Sequence, residues 1–350
     1  MEDQNLVTRR KSGLWREGYS LASVKQPPIS DANVLRLARA FGLKNPEIFT
    51  YNHGYRNHSF GILAEGKKYN LMLLKNEPTA LERMQNADLV SQIVAAAGLP
   101  ARLLADPRTL KAATDKGYRL ARLYYWLEGS TIPWEAYTRK HLRELGKTLA
   151  ELHASLANTD LPLPDALTEL TDYNDTMQAY FAKSEVQKAL TAKLNLKTRI
   201  NYDKIARFLG AQPLQGLARQ PLHLDFVRGN ILWATPKSLL NPTISGIIDF
   251  EKTAAGSPLI DLARTYAFLL VDCPKSEPKI AKYFLHSGYI KYGKSQLLIP
   301  PKIFYNMTNF FLLFDFYKFL SHNPYEDLEN NYHFCRTRDI LLVRNILEEL

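Results

Sequence analysis

A short stretch in the second half of the chain carries side chains that can act as a base and hold a metal ion. His223, Asp225 and Asn230 follow one short apolar segment, and Asp249 ends another. We interpret residues 221–250 as a short strand, a tight loop and two further apolar strands. Polar groups at the ends of such strands are expected at the edge of a sheet, facing a cleft.

These residue types match the needs of phosphoryl transfer from a nucleotide to a hydroxyl. The hydroxyl needs a carboxylate that orients it and accepts its proton, and the phosphates need Mg²⁺ and a cation. Asp225 is the candidate base. Asn230 and Asp249 are candidate ligands of Mg²⁺, which prefers a few hard oxygen ligands and keeps several waters. His223 is expected to brace the loop through hydrogen bonds.

The composition indicates an ordinary globular protein. The chain has 350 residues, 46% of them hydrophobic and 23% charged, a length that predicts two domains with separate cores. Cys273 and Cys335 lack the spacing of a metal site, which favours a reducing, cytoplasmic setting. The amino terminus lacks the apolar core of a signal peptide, and the apolar run at 310–320 is too short to span a bilayer.

The chain is basic, with a formal net charge of +10. Its lysines and arginines are scattered and do not alternate with aromatic residues as they do in proteins that bind single-stranded nucleic acids. We therefore interpret the charge as diffuse and solvated, and a nucleic-acid partner is not expected. The sequence does not indicate an oligomeric state.

The periodicity of the remaining sequence predicts an α+β protein with two lobes that position the chemical residues. The small N-lobe is expected to hold antiparallel strands and one main helix, in the order three strands, helix, strand, and the C-lobe to be mostly helical. The predicted domains are an N-terminal arm at 1–28, an N-lobe at 29–127 and a C-lobe at 128–350, with a hinge near 125–130.

The spacing His-x-Asp-x-x-x-x-Asn, followed by Ile-Asp-Phe-Glu, resembles the aminoglycoside phosphotransferase and choline kinase-like family of small-molecule kinases. The matching segments are HLDFVRGN at 223–230 and IIDFE at 247–251, and a Gly-x-Pro-x-x-Asp-Leu-Ala element follows at 256–263. The resemblance covers roughly residues 50–270. It implies the two-lobed protein-kinase-like fold and transfer of the γ-phosphate of ATP, with Mg²⁺, to a small molecule.

The same resemblance assigns roles within the motif. It implies that Asp225 is the catalytic aspartate and that Asn230 and Asp249 hold Mg²⁺. Leu224 stands where the family usually has glycine, and we expect its side chain to pack into the core. For Arg228 two roles are open, a contact with the transferring phosphate and a salt bridge to a neighbouring acid.

A lysine in the N-lobe is the predicted cation for the other phosphates. Lys75 ends an apolar strand, so its stem is expected to be buried while its ammonium group emerges at the cleft. The resemblance implies contact with the α- and β-phosphates and an acidic partner on the next helix. Glu82 and Asp88 are both candidates, and Asp88 lies nearer to the position of the acid in the family.

The nucleotide is expected to meet two further segments of the N-lobe. Gly54, Asn57 and Ser59 match the turn that covers the phosphates in the family, although the turn lacks a GxGxxG pattern. Adenine is expected beside the hinge, near Tyr124 and Trp126. ATP is the expected nucleotide, and GTP is not excluded.

The acceptor is expected to be a small hydroxyl compound, such as an amino alcohol, a sugar or an aminoglycoside. Only eleven residues separate Asp249 from Asp261, which leaves no room for a peptide-binding platform. Acids and aromatic residues within 300–333, among them Asp315 and Phe314, can form a site for a cation or can be ordinary core. Two alternatives are a nucleotide-binding pseudokinase with a regulatory role and a hydrolase that uses His223 and Asp225 as metal ligands.

Overall fold

The structure of the chain is a computed structural model. It describes residues 29–53, 57–114, 117–194, 198–200, 217–234, 241–293, 300–322, 328 and 330–349. The predicted N-terminal arm and Gly54 lie outside these residues. The described residues form two compact units. The first contains 29–131 and 229–253, and the second contains 132–228 and 254–349.

The first unit is built around a five-stranded antiparallel sheet in the order β1-β2-β3-β5-β4. Its first helix begins after Ser30, whose side chain accepts a hydrogen bond from the Asn33 N–H and so caps the helix. The elements in chain order are α1 (Asp31–Ala40), β1 (Glu47–His53), β2 (His58–Ala64), β3 (Lys67–Leu73), α2 (Ala80–Ala96), β4 (Leu104–Thr114) and β5 (Gly117–Tyr125).

Strand β4 corrects the predicted order of three strands, helix, strand, because a fourth strand comes between α2 and β5. Its sequence alternates poorly, and its pairing with β5 shifts register between Leu104 and Asp106 and again between Asp106 and Leu110. Pro107 lies between these positions and cannot donate to a ladder, which restricts such a strand to a sheet edge. β4 is indeed an edge strand.

The two faces of the sheet pack against different helices, because successive side chains on a strand point to opposite faces. Leu71 and Leu123 belong to the core that includes Val34 of α1. Met72 and Tyr124 belong to the core that includes Met84 of α2. The face against α2 also carries buried charges, among them Arg122.

The first unit also contains the hairpin of β8 (Ile231–Trp233) and β9 (Ile244–Ile247), in a segment that the sequence-based division placed in the C-lobe. Ser130 exchanges two backbone hydrogen bonds with Trp233, at 3.0 and 2.9 Å. Gly129 makes this approach possible, because a Cβ atom there would lie 2.7 Å from the Trp233 carbonyl oxygen. A short 3-10 helix, Phe250–Lys252, follows β9 and contacts α2.

The second unit is mainly helical, as predicted. Its helices are α3 (Arg139–Leu156), α4 (Ala166–Phe181), α5 (Ser184–Leu194), α6 (Pro258–Asp272), α7 (Glu277–Ile280), continued as a π-helix (Ala281–Ile290), α8 (Pro301–His322) and α9 (Tyr332–Val343). Two short antiparallel pairs accompany them, β6 (Thr198–Ile200) with β11 (Leu347–Glu349) and β7 (Gln220–Leu222) with β10 (Ala254–Gly256).

Two sequence signals place the helices that matter for the site. Ser257 caps α6, and Pro258 occupies its first turn, where its missing N–H costs nothing. The apolar run at 310–320 lies within α8, and most of its side chains are buried. Within the described residues, no helix is long and apolar enough to cross a membrane.

Candidate active site

A buried carboxylate fixes the backbone of the loop that carries Asp225. Asp261 of α6 is 1% exposed and accepts hydrogen bonds from the N–H groups of His223 (2.8 Å) and Leu224 (2.6 Å). The Nε2 atom of His153 lies 3.3 Å from the same carboxylate. Buried carboxylates with several donors hold a backbone firmly, because every broken bond would leave a polar group unsatisfied. The acid of the Gly-x-Pro-x-x-Asp element thus anchors this loop.

Leu224 takes a strained backbone conformation in this loop. Its φ angle is 55°, in the left-handed region that non-glycine residues rarely occupy. Its side chain is buried, as we expected of a leucine where the family usually has glycine. Burial of the side chain therefore offsets part of the backbone strain.

His223 lies within the core and contacts the loop that carries Asp225. Its Nδ1 atom accepts a hydrogen bond from the Asp225 N–H at 3.2 Å. The imidazole also lies edge-on to the Phe226 ring, with 6.0 Å between the ring centroids. The imidazole thus contacts the backbone of Asp225 and the side chain of the residue after it.

Asp225 forms an ion pair with an arginine that we did not predict from the sequence. The Nη2 atom of Arg264 lies 2.8 Å from Oδ1 of Asp225, and the two side chains are 6% and 14% exposed. The Arg264 guanidinium also approaches the rings of Phe268 and Phe311, at 5.9 and 5.8 Å. The available signal was the single basic residue of the mainly apolar helix that begins at Pro258.

Arg228 begins the short 3-10 helix Arg228–Asn230 and is partly exposed. Among the described residues of its unit, no carboxylate forms an ion pair with its guanidinium. Both roles considered for this residue stay predictions.

The two predicted metal ligands lie at the same end of the β8–β9 hairpin. Asn230 directly precedes β8 and Asp249 follows β9, with Ile231 paired to Ile247. The Ile248 N–H donates to the Asn230 carbonyl oxygen at 3.0 Å, which ties the two strand ends together. An amide oxygen and a carboxylate at one hairpin end are a donor set that suits Mg²⁺, which fills its other positions with water and phosphate oxygens.

Asn57 connects two segments of the predicted nucleotide site. Its Nδ2 group donates to the Glu251 carboxylate, and its Oδ1 atom accepts from the Lys75 N–H at 2.9 Å. The side chain therefore joins the segment after β3 to the turn that follows Asp249. Ser59 lies on β2 and is half-buried, whereas Gly54 is outside the described residues.

Lys75 is more exposed than a strand-end lysine with a buried stem would be. Its side chain is 45% exposed, and its Nζ atom lies 2.6 Å from Glu77. Glu82 is exposed on α2, and Asp88 lies within the core, where it pairs with Arg122 at 2.6 Å. Asp88 was a candidate partner for Lys75, but each of the two forms an ion pair with a different residue.

Burial shapes the electrostatics around Asp88. Removal from water raises the pKa of this carboxyl above its ordinary value, while the positive charges of Arg122 and Arg102 act in the opposite direction. Burial likewise raises the pKa of the Tyr124 hydroxyl. The guanidinium of Arg102 lies 4.2 Å from the centroid of the Tyr124 ring.

The second predicted hinge residue, Trp126, follows directly after β5. Its backbone N–H donates to the Lys68 carbonyl at 3.2 Å, and its ring meets Phe49 edge-on at 5.0 Å. These contacts attach the segment after β5 to the sheet.

The residues considered for acceptor binding have several contacts within the helical unit. Phe314 of α8 stacks on Tyr173 of α4 at 4.5 Å, and Asp315 lies 2.8 Å from His333. Burial and the nearby Glu169 raise the pKa of the Tyr173 hydroxyl, and the charge of Asp225 acts in the same direction. The acids at 326, 327 and 329 lie outside the described residues.

Comparison with known proteins identifies relatives of this arrangement. A family model described as the phosphotransferase enzyme family matches residues 47–289. A homoserine kinase from Methylobacterium nodulans is 28% identical over 217 residues, which cover 60% of each chain. One from Methylobacterium radiotolerans is 27% identical over 244 residues, covering 67% of this chain and 68% of the relative.

Solved structures share the fold at low sequence identity. The amicoumacin kinase hAmiN, in complex with AMP-PNP, Ca²⁺ and Ami, has a TM-score of 0.66 at 13% identity, covering 91% of this chain and 94% of that one. The GDP and kanamycin complex of APH(2")-IIia has a TM-score of 0.55 at 13% identity, covering 90% and 99%. The family model spans most of the chain and includes the HLDFVRGN and IIDFE segments, so the predicted fold class is confirmed and the chain belongs to the phosphotransferase enzyme family.

Proposed function

We propose that the chain is a small-molecule kinase that transfers the γ-phosphate of ATP to an alcohol hydroxyl, with Mg²⁺, and that Asp225 is its base. The observation that carries this proposal is the attachment of the 223–225 loop to α6. Asp261 holds the backbone of the loop, and Arg264 holds the carboxylate of Asp225. A base must be fixed in place to orient a hydroxyl for attack, and this double attachment supports that role.

The reaction follows from the groups present. The acceptor hydroxyl donates a hydrogen bond to the Asp225 carboxylate and gives up its proton to it as the oxygen attacks the γ-phosphorus. The bond from that phosphorus to the β–γ bridging oxygen breaks, and ADP leaves. Arg264 keeps the carboxylate oriented and offsets its charge in a site that is largely removed from water.

Asn230 and Asp249 would hold Mg²⁺, which would offset the negative charge of the phosphates. Arg228 is proposed to contact the transferring phosphate. In the N-lobe, which we place at 29–127, Asn57 and Ser59 are proposed to cover the phosphates. Asn57 is already hydrogen-bonded to Glu251, two residues after Asp249, which supports a shared role for these segments.

The acceptor is proposed to bind to the C-lobe, which we place at 128–350. Relatives named homoserine kinase make a small hydroxy amino acid a candidate, beside amino alcohols, sugars and aminoglycosides. The aromatic pair of Tyr173 and Phe314 belongs to the same unit as Asp225. Such a pair can pack against the carbon skeleton or the ammonium group of an acceptor. A cytoplasmic location, where ATP is plentiful, fits this role.

A phosphotransfer assay across a panel of these alcohols tests the proposal. Wild type should phosphorylate at least one acceptor, and Asp225→Asn should lower kcat by about 10²- to 10⁴-fold, the usual contribution of a general base. Binding of the nucleotide should be unchanged in that variant. Asp160→Asn, at an exposed position, is the matched control and should keep full activity. Nucleotide binding without transfer to any acceptor would instead support the regulatory pseudokinase.

A further inference from the structure

The sheet face that packs against α2 carries two buried arginines. Arg102 and Arg122 are each 4% exposed, and Asp88 of α2 is the acid beside them. Arg122 lies on β5 directly opposite Met72 of β3, so both side chains are on the face that packs against α2. We call the group formed by Arg102, Arg122 and Asp88 the arginine cluster.

The two arginines have different partners. Arg122 lies 2.6 Å from Asp88 and also donates to the Thr109 hydroxyl at 2.9 Å. The Arg102 guanidinium approaches a sulfur and an aromatic ring: the Met72 sulfur lies 3.8 Å from its Nη1 atom, and the Tyr124 ring lies 4.2 Å from its guanidinium carbon. Arg122 thus has a carboxylate to balance it, whereas Arg102 has a weak acceptor and an aromatic face.

The charges of the arginine cluster do not balance. It contains two guanidinium groups and one carboxylate, all largely removed from water. The Nε atoms of Arg102 and Arg122 are buried and have no hydrogen-bond partner among the described residues. The carboxylate oxygens of Asp88 have none of suitable geometry there either, although one of them lies 2.6 Å from Arg122. Buried charges are normally paired, because an unpaired charge loses its hydration without compensation. The excess positive charge and the free donors therefore indicate an anionic ligand with several acceptor oxygens.

Phosphate oxygens fit this chemistry. A guanidinium binds phosphate through parallel N–H donors and remains charged even when buried. Lys75, the other cation predicted for this role, is 45% exposed and already paired with Glu77. Glu77 also pairs with Arg83, but water can hydrate the exposed Lys75, whereas the charge of Arg102 is buried.

We propose that Arg102 and Arg122 bind phosphate oxygens of the nucleotide and that Asp88 is a positioning residue that orients Arg122. This inference rests on the proposed function, because it assumes that this unit binds a nucleoside triphosphate. It assigns the phosphate-binding cations to the segment before β4 and to β5, instead of to Lys75 at the end of β3.

The test compares ligands that differ only in their phosphates. Arg102→Met keeps an unbranched apolar stem and removes the charge, and Asp88 keeps Arg122 as its partner. Isothermal titration calorimetry would measure the Kd of adenosine, ADP and ATP, the last two with Mg²⁺, for wild type and variant. We expect the Kd of ATP to rise by about 10- to 100-fold, since hydrogen bonds between charged groups are among the stronger ones. The Kd of adenosine should change by less than about twofold, because adenosine has no phosphate.

A second variant tests Arg122 without leaving Asp88 unpaired. Arg122→Met combined with Asp88→Leu removes both charges together, and it should give the same dependence on phosphate. The conservative Arg102→Lys should recover part of the lost ATP affinity, because it restores the charge without the planar group. Lys111→Met, an exposed lysine on β4, is the control and should bind all three ligands as wild type does.

The outcomes separate this inference from the function on which it rests. Equal losses of affinity for adenosine and ATP in Arg102→Met and in the double variant would overturn it. Such a result would indicate a role in the fold or in binding the adenine ring. Unchanged ATP affinity in both, with a loss confined to Lys75→Met, would overturn it in favour of Lys75. If wild type binds no nucleotide, the proposed function fails first and this inference fails with it.

Discussion

Arg264 and Asp225 form an ion pair of 2.8 Å in which both side chains are mostly buried. Arg264 follows Asp261 by three residues on α6, so the two side chains lie on the same side of that helix. Asp261 holds the backbone of the loop through His223 and Leu224, and Arg264 holds the carboxylate of Asp225. A single helical turn thus fixes both the position and the orientation of the proposed base.

Removing the arginine of this pair should impair the chemical step more than nucleotide binding. We expect Arg264→Met to lower kcat by about 10- to 100-fold, because the proposed base loses the group that orients it. The KM for ATP should change by less than about threefold. Steady-state kinetics with a defined acceptor would measure both constants.

Breaking a buried ion pair also destabilises the fold, by about 3–5 kcal/mol in other proteins, so the melting temperature of the variant should be recorded as well. Arg264→Lys should recover part of kcat, and Arg143→Met, at an exposed position on α3, should behave as wild type. A normal kcat in Arg264→Met would show that Asp225 needs no such orientation.

Because Leu224 has a left-handed backbone, we expect glycine to be tolerated better than alanine at this position. Leu224→Ala and Leu224→Gly both lose a buried side chain, which typically costs about 2–5 kcal/mol. Only glycine relieves the strain at φ 55°, which costs other residues about 1–2 kcal/mol. Leu224→Gly should therefore be the more stable of the two by about 0.5–1 kcal/mol, as measured by thermal unfolding.

Leu222 provides the matched control for this comparison. It is equally buried, belongs to strand β7, and its φ angle is not positive. At this position glycine should be less stable than alanine, because it only adds conformational freedom to the unfolded chain. The same order at both positions would contradict the role of backbone strain at Leu224.

The sequence predicted the elements that follow local rules and missed contacts between distant residues. The helix caps at Ser30, Thr138 and Ser257 form through hydrogen bonds to N–H groups two or three residues later, so they depend on the local sequence alone. The Arg122–Asp88 pair joins a strand to a helix across 34 residues, and no local periodicity encodes it. Its only signal was a charge at an apolar position of β5.

The same limit applies to the candidate site. The spacing from His223 to Asp249 was enough to predict the family and the fold. The contact between Asn57 and Glu251 connects residues 194 apart in the chain, so it depends on how the sheet and the hairpin fold together. Arg264 was missed for the same reason, because its partner lies 39 residues earlier in a loop without regular structure.

His141 at the start of α3 should make stability depend on pH. Burial and the nearby Lys275 lower its pKa below the ordinary value of 6.5. Its Nδ1 atom accepts the Thr138 N–H at 3.2 Å within a capping box, and protonation would remove this acceptor. The folded state therefore favours the neutral ring, so stability is complete above pH 6.5 and is lost as the pH falls through the lowered pKa.

His141→Gln keeps an acceptor at the same position, since glutamine is a usual residue there in a capping box, but it does not titrate. The wild type should match this variant near pH 7.5 and be less stable at pH 5, by about 1 kcal/mol for loss of the cap. Thermal unfolding between pH 5 and 8 would follow the difference. If the difference in stability between wild type and His141→Gln were the same at every pH in this range, His141 would not be the source of the pH dependence.

The Asn57 side chain should contribute to nucleotide binding through its contact with Glu251. In Asn57→Asp the bond from the Lys75 N–H can persist, but a carboxylate then faces the carboxylate of Glu251. We expect the Kd of MgATP to rise by about 5- to 20-fold. The two neighbouring carboxylates repel each other, and the hydrogen bond that the amide donated to Glu251 is lost. Adding Glu251→Gln restores a donor opposite the introduced carboxylate and removes the repulsion, so the double variant should bind better than Asn57→Asp alone. A coupling energy of about 1 kcal/mol or more in this cycle would support the connection between β3 and the turn after Asp249, whereas additive effects would show that the two segments act independently.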